Sequence, residues 1–182
     1  NSPRDDKRDD KNMEVRIDEI VHSKEDTEAL GISVGDFIYF NTRTEVTKSG
    51  FIKSRHLDDK VSVAIILGVC KYLKENKIKP KYTINFLISN YEEVGHGAAY
   101  LPEKAFEILA IDMASPGEGQ TSTEEAVTIC AKDSSGPYDY DMRKRLVEMA
   151  KEDYIDYKID IYNHYNSDAS AAVRAGNMVR HG

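Results

Sequence analysis

Cysteine is scarce in this sequence, with only Cys70 and Cys130 among 182 residues. Each sits inside an apolar run, which excludes a disulfide framework or a zinc knuckle and leaves two small core side chains. The matching expectation is a reducing, cytoplasmic setting. Basic charge is also short: 25 Lys and Arg stand against 32 Asp and Glu, for a net charge of −7. A surface of that sign cannot offset nucleic-acid phosphates or anionic lipid headgroups, so neither nucleic acid nor membrane is an expected partner. No apolar stretch reaches the about 20 residues needed to cross a bilayer. The charged opening (Asn1, Ser2, Pro3, Arg4, Asp5, Asp6, Lys7) leads into no signal-peptide core and reads, through residue 12, as a solvated segment. Internal repeats are absent. No Gly-x-Ser-x-Gly elbow or paired histidine accompanies Ser134-Ser135-Gly136, which removes the serine-nucleophile reading.

Against those absences, 40% of the residues are hydrophobic, enough for one well-buried domain with a small appendage. Residues 13–19 alternate apolar and charged side chains with period two, which predicts a strand with one wet face. A short helix over 23–30 ends at Gly31, and strands follow at 37–40 and 50–53. Near Ser54 the composition changes. Residues 1–54 form a partial β-rich unit, and residues 55–182 alternate helix and strand. The pattern over 58–76 is apolar almost all round, predicting a largely covered helix. Residues 82–90 are apolar on consecutive positions, as a central strand should be. A helical turn over 98–107, strands at 108–112, 126–131 and 157–162, and helices over 138–151 and 170–175 complete the series. Ser167-Asp168 is the predicted N-cap of the last helix. Such alternation defines an α/β fold.

Chemistry is concentrated where the apolar run 82–90 opens into Glu92-Glu93-Val94-Gly95-His96-Gly97. Taken alone, two solvated loop acids explain this pair. Other acidic residues share its position, however. Asp58-Asp59 opens a helix, Asp112 ends a strand and Asp168 follows another. Open α/β sheets bind ligands outside the carboxyl ends of their strands, so these residues converge on one edge. Carboxylates crowded there repel one another unless a cation or a shared proton relieves the charge, which favours a metal site.

The motifs Ser54-Arg55-His56-Leu57-Asp58-Asp59-Lys60, Tyr91-Glu92-Glu93-Val94-Gly95-His96-Gly97-Ala98 and Ala110-Ile111-Asp112 resemble those of the tetrahedral-type (TET) dinuclear-metal aminopeptidases, relatives of glutamyl aminopeptidase. Asn166-Ser167-Asp168-Ala169 followed by Gly176 extends the likeness over nearly the whole chain. The resemblance implies a three-layer zinc-peptidase-like fold and two divalent ions, zinc or cobalt. Asp58 is then the bridging ligand, Glu93 a ligand of one ion, Asp112 a ligand of the other and Glu92 the catalytic base. It also implies a cis Asp58-Asp59 peptide bond, peptide substrates with a free N-terminus and a homo-oligomer built through the β-rich domain. The family pattern adds one histidine ligand per ion, one upstream of Asp58 and one beyond the last helix, and neither is evident here. The chain therefore reads as a piece of a longer enzyme, in which Asp58, Glu93 and Asp112 alone make a weak oxygen-only site. The alternative is a non-catalytic fragment that keeps the fold without a complete metal site.

The remaining candidates have plain structural readings. His56 and His96 flank the acidic pairs and read first as solvated loop histidines, with support of the ligands or contact with substrate as the alternative. His164 and His181 read as surface residues and His22 as structural. Tyr138, Tyr140, Tyr154, Tyr157, Tyr162 and Tyr165 read as packing and rim residues. A glycosidase ranks last, because adjacent glutamates cannot easily flank a glycosidic bond from opposite sides.

Overall fold

The structure, a computed structural model, describes residues 4–182. The expected solvated opening falls in part on residues 1–3, outside the described residues. The chain divides into two compact units, with the boundary between Asn41 and Thr42.

In the first unit a 3-10 turn, Asp10–Asn12, is capped by Asp9, whose side chain accepts from Lys11 N. Helix α1, Lys24–Ala29, begins at Ser23, whose hydroxyl accepts from Asp26 N at 3.1 Å. The Asp26 carboxylate accepts in return from His22 N at 2.9 Å. Two backbone donors that the helix cannot use are thereby satisfied. Gly31, at φ 82°, closes the helix with its N–H on Glu28 O. The predicted strands at 13–19 and 37–40 are not formed. Alternation marks a face to be buried, but a strand also needs a ladder partner, and these residues enter no ladder among the described residues.

The second unit opens with a hairpin of β1 (Glu45–Val46) and β2 (Ile52–Lys53), turned at Gly50. Helix α2, Leu57–Glu75, follows. It is the helix the sequence predicts, but it is not covered: Ser62 is its only buried residue, and Ile65 and Leu67 are 51% and 58% exposed. Residues 82–90, predicted as a central strand, are likewise mostly exposed and form no strand. Strand β3, Glu107–Ile108, realises only the start of the predicted 108–112 strand, and no helix forms over 98–107.

The well-packed part lies downstream. Strand β4 (Val127–Asp133) turns through β5 (Gly136–Pro137) into α3 (Tyr140–Glu152), and the chain returns as β6 (Tyr157–Ile161), parallel to β4. A parallel pair requires such a crossover, which explains the position of α3. Asp139 caps α3 by accepting from Met142 N at 2.8 Å. Helix α4 (Asp168–Arg174) leads to β7 (Arg180–His181), which runs parallel to β3. The bond from Ala110 N to Gly182 O prolongs that pairing toward Asp112. Ala98, Leu101 and Ala172 form the buried cluster, with Ala105, Ile108 and Val179 packed against it. The alanines of α4 let its backbone come close to the loop after Gly97.

Candidate metal centre

Asp58 and Asp59 stand at the mouth of α2, and Asp112 lies beyond β3. One carboxylate oxygen from each falls within 4.8 Å of the others, and among the described residues this is the one group of three or more acidic, histidine or cysteine side chains so placed. The Asp58-Asp59 peptide bond is cis, as the resemblance implies. Both residues have non-helical backbone angles, so regular helix begins only after them. A left-handed residue precedes each acidic pair: His56 at φ 61° and Tyr91 at φ 63°. Non-glycine residues rarely adopt that conformation, and such positions gather at functional sites.

The charges are mutually unfavourable. Desolvation, then the charge of Asp112, raises the Asp58 pKa. Desolvation also raises Asp59, against an opposing hydrogen bond from Ser62. Glu92 is pushed up to about 7, by burial first and then by Asp112, Asp168, Glu93 and Asp58. Glu93 is raised by desolvation and by Asp58 and Asp112. It faces the same charge cluster, but its oxygens lie outside the three-aspartate group. Asp59 Oδ1 is buried without a hydrogen-bond partner. An orphaned anionic oxygen among repelling carboxylates is what a divalent cation would satisfy, so these residues fit the implied metal.

The turn carrying Glu92 and Glu93 is held from α4. It is a 3-10 turn, Glu92–Val94, closed by Gly95 N on Glu92 O at 2.7 Å and by the Tyr91 ring stacked on His96 at 5.1 Å. Ser167 occupies the cap position of α4 without a side-chain cap bond, and Asp168 turns to the glutamate turn instead. Its carboxylate accepts from Ala98 N at 2.9 Å and from the Ser89 hydroxyl. Gly97 passes directly beneath. A Cβ there would meet Asp168 Oδ1 at 2.6 Å, Ser89 Oγ at 2.8 Å and the Asn90 carbonyl at 2.9 Å. Arg174, at the far end of α4, donates to Gly95 O at 3.1 Å and to Ser135 Oγ at 2.7 Å.

Behind α4 lies a fully buried carboxylate, Asp133. It accepts from Ser135 N, Gly136 N, the Tyr138 hydroxyl and the Ser170 hydroxyl, and Tyr138 also bonds Ser167 Oγ at 2.6 Å. The Ser134-Ser135-Gly136 stretch thus turns the chain around Asp133. Burial raises the Tyr138 pKa, with Asp133 acting in the same direction and the hydrogen bonds with Ser167 and Ser170 opposing it. Two tyrosines predicted as packing residues, Tyr138 and Tyr165, therefore bind carboxylates, Tyr165 reaching Asp112. Sequence reading missed them, placed Asp59 in the acidic cluster without a ligand role, and gave Ser89 and Gly97 no role. The available signal was their place inside or beside the quoted motifs. No histidine joins the aspartates among the described residues. His181 is half-buried in β7 with its ring edge-on to Tyr138, and is not a surface residue.

The sequence profile of the M42 glutamyl aminopeptidase family matches residues 1–182. YhfE of Bacillus subtilis (strain 168), which carries an aminopeptidase name, is 53% identical over 176 residues, covering 96% of this chain and 51% of YhfE. The crystal structure of a TET aminopeptidase from the marine sediment archaeon Thaumarchaeota archaeon SCGC AB-539-E09 superposes with a TM-score of 0.73 at 20% identity, over 87% of this chain and 48% of that one. The TET1 peptidase of Pyrococcus horikoshii, described as assembling into a tetrahedron or a large octahedral shell, gives 0.72 at 25% identity, over 87% and 48%. The chain thus spans about half the length of these relatives, and its α/β fold is theirs.

Proposed function

We propose that this chain, which belongs to the M42 glutamyl aminopeptidase family, supplies the carboxylate side of a two-metal centre that removes the N-terminal residue of peptides. Asp58 would serve both ions, Glu93 and Asp112 would each hold one, and Asp59, whose Oδ1 lacks a partner, would orient or join them. When bound, two divalent ions such as zinc or cobalt polarise the scissile carbonyl and acidify a water. Glu92 would take a proton from the attacking water and return it to the departing amine. Its position suits that exchange: it sits on a turn fixed from α4 and lies within the charge field of Asp58 and Asp112. Its raised pKa describes the metal-free cluster, and cations beside it would restore the ionised form. A free α-amino group paired with this acidic cluster accounts for attack at the N-terminus alone.

The observation that carries this reading is the convergence of Asp58, Asp59 and Asp112 within 4.8 Å beside a glutamate of raised pKa. The test uses the protein at its natural length. Two zinc or cobalt ions per chain are expected, with release of N-terminal residues from peptides and none from the same peptides acetylated at the N-terminus. Equal cleavage of both sets, or no metal uptake, overturns it. The absence of a histidine from the aspartate group favours a second statement, that these 182 residues alone bind metal weakly and turn over little, since oxygen-only sites hold zinc less firmly than nitrogen-containing ones. Self-assembly of the kind described for the Pyrococcus horikoshii relative is proposed for the whole protein.

A further inference from the structure

Asp112 presents a problem that its role as a ligand does not solve. It lies beyond β3, past the last ladder residue, and a carboxylate there is free to rotate unless something holds it. Two donors do. Met113 N meets Oδ1 at 2.6 Å, and the Tyr165 hydroxyl meets Oδ2 at 2.5 Å.

Tyr165 is itself fixed at three points in the loop between β6 and α4. Its backbone carbonyl accepts from Ser134 N at 2.8 Å. Its ring stands edge-on to Tyr162, with centroids 5.5 Å apart. Its hydroxyl is on Asp112. Tyr162 is anchored in turn. The Ser122 hydroxyl spends its proton on Asp160 Oδ2 at 2.6 Å, so the Tyr162 hydroxyl donates to Ser122 at 2.7 Å. Asp160 is buried in β6 and accepts further from Thr121 N and Ser122 N. A continuous line of packed and hydrogen-bonded groups therefore runs from the β6 strand to the carboxylate.

We infer that Tyr165 is a positioning residue that sets the Asp112 carboxylate for its cation, an inference that rests on the metal reading above. A carboxylate has about four lone-pair sites, so the bonds from Tyr165 and Met113 still leave each oxygen a free position, now with a defined direction. Partners of this kind typically alter metal affinity 10–100-fold.

The experiment is calorimetric titration of the metal-free protein, at its natural length, with zinc. Tyr165→Phe is expected to weaken one of the two binding events by about 10–100-fold. Tyr154→Phe, which removes the hydroxyl of a tyrosine 96% exposed, should bind as the unaltered protein does. Unaltered protein that binds no zinc overturns the metal reading and this inference together. Normal zinc binding with unchanged affinity in Tyr165→Phe overturns the inference alone. Should Tyr165→Phe not fold, the unaltered protein labelled with carbon-13 at tyrosine Cζ gives a second measure. One tyrosine resonance is expected to move on zinc addition, and no movement of any tyrosine overturns the inference.

Discussion

Helix α2 and helix α4 carry opposite relations between apolarity and burial. α2 is rich in Val, Ile and Leu, yet Ser62 is its only buried residue. α4 is short, with three alanines, one valine, one serine and a charged residue at each end, yet four of its seven residues are buried. Around α4 the buried groups include many polar ones, each satisfied: Asp133, Ser167, Ser170 and Tyr138 bond one another, while the half-buried Asp168 and the exposed Arg174 bond the residues flanking the glutamate turn. Order in this chain thus follows hydrogen-bonded polar contacts at α4 more than apolar content. The candidate site straddles the two regions. Asp58 and Asp59 come from the exposed helix, while Glu92, Glu93 and Asp112 are braced from the α4 side.

The largest expected effect separates the proton carrier from the ligands. Glu92→Gln should retain zinc and lose turnover by about 10²–10⁴-fold, the usual weight of general acid–base catalysis. Asp58→Ala should lose both ions. Metal content by atomic absorption beside kcat tells the two apart, and full activity in Glu92→Gln would remove Glu92 from the mechanism. The braces come next. In Gly97→Ala the new methyl must displace Asp168 or Ser89, and overpacking of this kind costs about 1–3 kcal/mol. Denaturant unfolding should show that loss together with reduced kcat. An unchanged kcat would mean that α4 does not set the glutamate turn.

The elements legible in the sequence were those whose signal is local. The helices predicted over 23–30 and 138–151 and the apolar run of β4 each announce themselves within a few residues. The stretch 82–90 has an equally strong apolar run and forms no strand, because a ladder is a relation between two segments and composition describes one. The same distinction governs the site. Asp58, Glu92, Glu93 and Asp112 were visible because they stand at the ends of elements within recognisable motifs. Tyr165 meets Asp112 across 53 residues of chain and Asp168 meets Ala98 across 70, contacts that no periodicity encodes.

Two carboxylates on the braced side, Asp160 in β6 and Glu92, should also respond to pH with opposite sign. Desolvation raises Asp160, but hydrogen bonds from Ser122, Ile161 and Thr121 outweigh it and leave the pKa below 3.8. Its contribution to stability is full above 3.8 and is lost as pH falls through the lower folded value. Glu92 behaves inversely. Its pKa stands at about 7 folded against 4.5 as the ordinary value, so the folded state holds the extra proton, and stability of the metal-free protein falls as pH rises from 4.5 through 7. Thermal unfolding without metal should therefore show declining stability across that window. Glu92→Gln should flatten the decline, and zinc should oppose it by binding the ionised cluster. A profile that rises steadily from pH 4.5 to 7 in the metal-free protein would contradict the crowding of carboxylates on which the metal reading rests.

The smallest effect tests the exposed side directly. Ile65 stands half in solvent on α2, so Ile65→Ser removes little buried area and should change the stability of this chain by no more than about 0.5 kcal/mol. Denaturant midpoints of the 182-residue chain and of the protein at its natural length give the comparison. Equal, small losses in both would leave α2 an exposed helix in either setting. A loss of about 1–2 kcal/mol confined to the longer protein would mean that further chain covers this face there, since removing a buried aliphatic side chain costs at least that much. Asp58 and Asp59 would then gain a support that residues 42–182 do not supply, and the contrast between the two helices would belong to the length of the chain and not to the fold.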